Sequence, residues 1–307
     1  MSDVPVQYRI KGSLMAIRVL IIGCGDVGSE LGKQLLSAHN QDIEIIGVRR
    51  NGDKLPESFT RISADFTDTS TFIGIIKQQP ADFVIYSAAA TQHDEAGYRS
   101  AYIDGLNNTL TAIDYWPQAP QHIFFTSSTG VYHQADHSWV DETSTTEPKR
   151  FSGAIMLEAE QRLENHGISS SAVRFSGIYG PGRNRLLENV RSGKGAPQQP
   201  LSYSNRIHRD DCAGVLAHLI QLKMAGKALD TLYLASDCLP VSLHDVTQWL
   251  AQQLGVELTD LSMGRFAGSK RCNNQRLLDS GYHFKYPDFR AGYQELLKGI
   301  NTSHNDG

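Results

Sequence analysis

At 307 residues the chain has room for one large α/β domain with an appended subdomain, or for two domains. Hydrophobic residues at 40% and charged residues at 20% form an ordinary globular composition, and a formal charge of −4 argues against the basic face that nucleic acid requires. Cys24, Cys212, Cys238 and Cys272 show no Cys-x-x-Cys spacing, which fits a reduced cytoplasmic interior better than a zinc site or a disulfide framework.

The longest apolar run, Val19 to Gly23, is too short to cross a bilayer, and residues 1–14 lack the apolar stretch of a signal peptide. No membrane partner is expected. Residues 1–15 read as an N-terminal extension, with Met15 an alternative start. Ala16 to Ile22 then predicts a buried strand, and Val27, Leu31 and Leu35 recur at helical spacing behind it. Further strands are expected at Ile43 to Val48, Arg61 to Ala64, Phe83 to Ser87, His122 to Ser127 and Ser171 to Phe175. Helices are expected at Leu106 to Tyr115 and over 151–166. This alternation predicts βαβ units around a parallel sheet.

After Tyr179-Gly180-Pro181-Gly182 the pattern changes. Residues 182–206 read as loop and short helix, Asp210 to Leu222 as a helix and Thr231 to Ala235 as a strand. Ser242 with Asp245 forms a capping box for a helix that Gly255 closes, and a last helix spans Asp288 to Lys298 before a frayed tail, Asn301 to Gly307. The expected fold class is therefore α/β, a Rossmann-type doubly wound parallel sheet with a smaller C-terminal α/β substrate subdomain. The units fall at 1–15, 16–180 and 181–307, with a helix and strand near 209–236 returning to the sheet.

Gly23-Cys24-Gly25-Asp26-Val27-Gly28 spells G-x-G-x-x-G between the first strand and its helix, the context that the dinucleotide fingerprint requires. Gly23 makes the tight turn, Gly25 lets the backbone approach a pyrophosphate, and Gly28 lets helix pack on strand. The helix start at Asp26 and Val27 offers free amides to the anion. A nicotinamide enzyme using NAD places Asp or Glu at the end of the second strand. Here stand Arg49 and Arg50, whose guanidiniums can fork onto a 2′-phosphate, so NADP is expected over NAD.

Seven segments occur in the order found in the extended and atypical short-chain dehydrogenase/reductase superfamily. They are the glycine motif, Asp65 to Asp68, Tyr86 to Ala89, Ser127 to Tyr132, Asp141-Glu142 with Pro148, Arg174 to Pro181 and Asn205 to Asp211. The chain resembles that superfamily over roughly residues 16–300, and Ser269 to Asn274 with Tyr286-Pro287 is similar to its YeeZ-like bacterial members. The resemblance implies that Asp65 and Phe66 lie against adenine, and that Ala88 and Ala89 run beside ribose and pyrophosphate, with Ser127 also at the cofactor. It implies that Phe175 and Ile178 line the nicotinamide, and that Ser128, Tyr179, Arg183 and His208 meet substrate. For His208 the competing reading is a hydrogen-bonded residue at the start of the following helix.

The resemblance breaks at the catalytic pair. Superfamily members carry Tyr-x-x-x-Lys on the helix after the fifth strand, the lysine holding the nicotinamide ribose and lowering the tyrosine pKa. Counting back from Glu160 puts Ser152 and Met156 at those positions, and Tyr102 replaces an asparagine of the preceding helix. Ser128 survives as a catalytic candidate. Tyr102, Tyr132 and Tyr179 are candidate substitute acids, with aromatic packing the favoured reading for the last two. No metal is expected, because no His/Cys/Glu cluster has ligand spacing, and no G-x-S-x-G elbow is present. Two functions remain open: an NADP-dependent oxidoreductase or epimerase acting on a small polar metabolite such as a nucleotide-sugar, and a non-catalytic NADP(H)-binding protein. By analogy with relatives, a homodimer is expected.

Overall fold

The computed structural model describes residues 16–39, 42–264 and 269–303. The leader 1–15 and the tail residues 304–307 therefore lie outside the described residues. The chain opens with β1 (Ile17–Ile22), α1 (Asp26–His39), β2 (Ile43–Arg49) and β3 (Thr60–Ser63), and α2 (Thr69–Ile76) carries it back to β4 (Phe83–Tyr86). Next come α3 (Glu95–Arg99) and α4 (Gly105–Ile113), joined by a wide π turn over Ser100–Asp104. The first half closes with β5 (His122–Ser128), β6 (Trp139–Val140), α5 (Phe151–Asn165) and β7 (Ser170–Phe175).

The second half runs β8 (Gly177–Tyr179), α6 (Arg185–Arg191), β9 (Tyr203–Ser204), β10 (Arg206–His208), α7 (Arg209–Met224) and β11 (Leu232–Ala235). It ends with β12 (Val241–Ser242), α8 (Leu243–Leu254), β13 (Arg271–Cys272), α9 (Gln275–Asp279) and α10 (Phe289–Ser303).

Seven strands form one sheet in the order β11-β7-β5-β4-β1-β2-β3, and every pair in it is parallel. The side-chain alternation of β1 explains the two layers. Leu20 and Ile22 face a cluster built with Phe72 of α2, Leu106 of α4 and Ile155 and Leu163 of α5. Val19 and Ile21 face the opposite cluster, with Leu31 and Leu35 of α1 and Val215 and Leu219 of α7. All four side chains are fully buried. That two-sided burial is why the strand reads as an unbroken apolar run, each side chain contributing roughly 1.5–3 kcal/mol.

Helix ends follow local chemistry. The Ser242 hydroxyl accepts from the Asp245 amide at 3.0 Å, and Gly255, at φ +64°, ends α8 in the left-handed region. The structure adds α2, capped by Asp68, and α3, capped by Asp94, which periodicity did not suggest. Both are short, and Gly74 and Gly97 lower their helix propensity. Helix α10 continues past Lys298 to Ser303, so residues 301–303 of the expected frayed tail are helical.

Beyond residue 180 the chain contributes twice. Leu187 and Val190 of α6, Val246 and Leu250 of α8, and Phe289 and Tyr293 of α10 form a third, smaller core with Tyr179. Helix α7 and strand β11 return to the main sheet, β11 pairing with β7 from Leu232↔Ala172 to Ala235↔Phe175. The sheet changes direction around β1, whose partners are β2 on one side and β4 on the other. A crevice opens outside the carboxyl ends of strands at such a switch point. Gly23 follows β1 there, and Ser87 follows β4.

Candidate cofactor groove

The glycine turn is built by contact rather than by glycine content alone. Gly23 sits at φ +72°, and a Cβ on it would stand 2.5 Å from the Ala88 Cα and 2.7 Å from the Ala88 nitrogen. A Cβ on Gly28 would stand 2.9 Å from the Ile21 side chain, the helix-on-strand contact expected for the third glycine. Gly25 is different. Its Cβ direction meets nothing nearer than the Gly23 carbonyl at 3.8 Å and opens into a cavity of 360 Å³. That open cradle fits a pyrophosphate, which needs backbone within hydrogen-bonding distance and no side chain between.

The same cavity gathers Gly23, Asp26, Val27, Ala88, Ala89, Ser127, Ser128, Phe175 and Ile178. A second cavity of 440 Å³ is lined by Arg50, Asp65, Phe66, Thr67 and again Ala89. Ala89 lines both cavities, which places the Arg50 and Ile178 ends on either side of it. Phe66 packs edge-on to the buried Tyr86, 6.0 Å between centroids, and Asp65 Oδ1 accepts from the Thr67 amide at 3.0 Å and hydroxyl at 2.7 Å. Arg49 lines neither cavity. It lies instead within electrostatic reach of Cys24, whose thiol burial pushes up to about 11.

Several expected residues stand elsewhere or are otherwise engaged. Ser127 reaches the cavity wall, but its hydroxyl donates to Glu160. Ser128 does line the cavity, its hydroxyl accepting from the Gly130 amide at 3.0 Å. Tyr132 is not in the groove: it is 4% exposed, donates to the Asp141 carbonyl at 2.7 Å and accepts from Arg174 at 2.9 Å. Burial holds its phenol up at about 12, with Arg174 opposing. Its hydroxyl is thus engaged away from the cavity, in keeping with a packing role.

Tyr179 is likewise packed away, stacked on Tyr293 at 4.6 Å inside the third core, and does not line the cavity at the glycine turn. His208 is 1% exposed and caps α7 by accepting the Asp210 amide on Nδ1 at 3.1 Å, which matches its competing reading. It borders a separate cavity of 420 Å³ beside Lys285 and Tyr286, and burial lowers its pKa to about 4. Arg183 does reach the groove, but at the glycine turn. It forks onto Asp26 at 2.7 and 3.1 Å. Burial alone would raise the Asp26 carboxyl; the Arg183 bonds and the Val27 amide hold it below its ordinary value.

Ser152 and Met156 of α5 line the first cavity where the resemblance implies tyrosine and lysine. Tyr102 lines it too, as does Tyr98, which the sequence did not single out, their rings 5.4 Å apart. The i, i+4 spacing of the two tyrosines was the available signal. Beneath the Ser127–Ser128 end, Arg174 forks onto Glu160 at 3.0 and 2.6 Å, both side chains at most 10% exposed.

Residues 17–295 match the family model of the RmlD substrate binding domain. The chain belongs to that family. Through it the chain falls in the extended short-chain dehydrogenase/reductase superfamily, and the matches carry no finer assignment to the YeeZ-like members. A structure from Methylobacillus flagellatus, provisionally assigned as an NAD-dependent epimerase/dehydratase, is 36% identical, with a TM-score of 0.77 over 94% of this chain and 100% of that one. The UDP-glucose 4-epimerase of Thermotoga maritima, solved with UDP-glucose, shares the fold at 14% identity and a TM-score of 0.75, over 92% and 100% of the two chains. That of Thermus thermophilus, solved with NAD, does so at 18% and 0.74, over 90% and 96%. No curated protein matches the chain. Among the described residues no helix is long and apolar enough to cross a membrane.

Proposed function

We propose that this chain is an NADP-dependent oxidoreductase or epimerase acting on a small polar metabolite of the nucleotide-sugar class. The observation that carries the reading is the open glycine cradle in one cavity and Arg50 in the neighbouring one, with Ala89 lining both. In this reading Gly23, Gly25 and the amides of Asp26 and Val27 hold the pyrophosphate. Asp65 Oδ2 and Phe66 meet the adenine, Arg50 takes the 2′-phosphate with Arg49 contributing long-range charge, and Ala88 and Ala89 admit the ribose. When bound, the cofactor would exchange a hydride with a substrate carbon, and the proton that balances it would be exchanged with solvent. Phe175 and Ile178 shield the hydride-bearing end from water, and the Ser128 hydroxyl orients the substrate oxygen. Residues 181–307 supply most of the substrate side, and free cysteines, of which Cys24, Cys212 and Cys272 are buried, suit a reducing cytoplasm.

Titration of the purified chain with NADPH and NADH, following cofactor fluorescence, tests this. NADPH should bind about tenfold or more tighter, the worth of one charge-assisted fork, and Arg50→Asp should reverse the order. Absence of binding by either cofactor overturns the reading. Ser152 and Met156 favour one other function, a non-catalytic NADP(H)-binding protein. It predicts tight binding without hydride exchange, so hydride transfer to any substrate eliminates it.

A further inference from the structure

The helical stretch from Glu95 to Ile113 changes geometry at one place, the π turn Ser100–Asp104. A π turn weakens the local hydrogen-bond ladder and recurs at functional sites because it re-aims a side chain. Here the Ala101 carbonyl within the turn is taken by the hydroxyl of the fully buried Tyr86. Phe66 and Tyr86 fill the space beside Gly105, where a Cβ would stand 2.5 and 2.4 Å from them. The turn is thereby locked from below, and Tyr102 at its centre lines the first cavity together with Met156.

The ionisable side chains lining that cavity are Asp26, Arg183, Tyr98 and Tyr102. Asp26 and Arg183 hold each other at the glycine turn. Tyr98 spends its ring on Phe151 and Tyr102, at 5.5 and 5.4 Å. Tyr102 is set differently: the Ala90 amide lies beside its hydroxyl, at the end of the Ala88–Ala89 segment that runs along the groove. An amide donating there occupies an oxygen lone pair and leaves the phenol O–H to donate into the cavity. Burial raises its pKa, with Tyr98 adding to the shift, so the O–H persists at neutral pH.

Resting on the cofactor reading above, we infer that Tyr102 is a positioning residue for the cofactor, its O–H hydrogen-bonding the nicotinamide-side ribose. The thioether of Met156 has no N–H with which to do this. A neutral phenol holds the sugar by one hydrogen bond and brings no charge, so the ribose is fixed without lowering the pKa of any neighbouring acid.

The test compares Tyr102→Phe with the wild-type chain, using NADPH and 2′,5′-ADP, which lacks the nicotinamide-side ribose. Affinities are read by calorimetry and thermal melts are taken without ligand. The phenyl ring keeps its contact with Tyr98 while the Ala90 amide loses its acceptor, so the melt should fall by no more than a few degrees, and the two ligands are compared on the same variant. NADPH affinity should fall about 3- to 10-fold, the range for one neutral hydrogen bond, while 2′,5′-ADP affinity is unchanged. Equal loss for both ligands, or loss for neither, overturns the inference and leaves the cofactor reading standing. A wild-type chain that binds neither ligand removes both.

Discussion

Substituting Gly25 by alanine separates a residue kept for folding from one kept for a ligand. The new methyl would meet nothing nearer than the Gly23 carbonyl at 3.8 Å, an ordinary contact, and Gly25 is not among the positive-φ residues. Folding should therefore be unharmed, or improve by about 0.4–1 kcal/mol because the unfolded chain loses freedom. The same methyl stands in the open cradle and keeps a phosphate oxygen off the backbone amides. Losing one charge-assisted bond of roughly 1.5–3 kcal/mol weakens binding by about 10- to 150-fold. Gly23→Ala supplies the contrast. Its left-handed backbone costs roughly 1–2 kcal/mol in any L-residue, and its methyl would sit 2.5 Å from an Ala88 backbone atom that cannot swing aside. That variant should melt several degrees lower whatever it binds. NADPH fluorescence titration beside thermal melts reads both effects. A Gly25→Ala chain that binds NADPH as tightly as wild type would remove the pyrophosphate from this turn.

Arg174→Met should cost about 3–5 kcal/mol by leaving Glu160 buried and unpaired, and adding Glu160→Met should recover at least half; urea midpoints measure both. Asp26→Asn should leave stability within about 1 kcal/mol, since the Arg183 pair is partly exposed and solvent-screened, and should tighten NADPH two- to fivefold in the same titration. A pH series isolates Asp237, which burial raises from 3.8 to about 8 against the pull of Arg206. A folded-state pKa raised in this way contributes stability that is present at low pH and lost as pH climbs toward 8. His122 and His208, lowered from 6.5 to about 3 and about 4 chiefly by burial, act oppositely: their contribution is full above 6.5 and lost as pH falls toward 4 and below. Between pH 6.5 and 8 only the Asp237 slope of these three survives, at most about 1.4 kcal/mol per unit, and Asp237→Asn should flatten it in urea midpoints.

What could be read from the sequence was what local chemistry dictates. The β1 run, the Leu31–Leu35 spacing and the Ser242 cap each depend on residues within a few positions, and each appears within a residue or two of its expected place. The groove was legible where a motif names its own geometry, at Gly23 to Gly28 and at Ala88-Ala89. Tyr132, Tyr179 and His208, which motif order puts near the site, pack away from the cavity at the glycine turn, because motif order fixes neighbourhood but not direction. Tyr132 turns into the Arg174–Glu160 network, and Tyr179 turns under α10, against Tyr293, which lies far along the chain. The partnership of Asp26 with Arg183 spans 157 positions, and no periodicity reports such a distance. Tyr98 was legible only through its i, i+4 spacing to Tyr102, a weak signal in a five-residue helix that gives way to π geometry at Ser100.

The mouth of the groove is less electropositive than a bare helix N-terminus would be. Asp26 brings a full negative charge to the first position of α1, accepting from the Val27 amide at 2.9 Å and from Arg183 at 2.7 Å. The formal charges of the pair cancel, which leaves the helix dipole as the standing attraction for an anion. An incoming diphosphate must compete with a carboxylate for the same amide and the same guanidinium. A single anionic oxygen gains nothing by that exchange, because it replaces one acceptor with another of equal charge. A diphosphate carries several oxygens and more than one charge, so it can satisfy the amides at Gly25 and Val27 and the guanidinium together. On the proposed cofactor reading, Asp26 would set a threshold that favours diphosphates over simple anions. Arg183 arrives from the loop after β8 through Gly180 and Gly182 at φ +142° and +78°, so its pair with Asp26 ties the glycine turn to the second half of the chain.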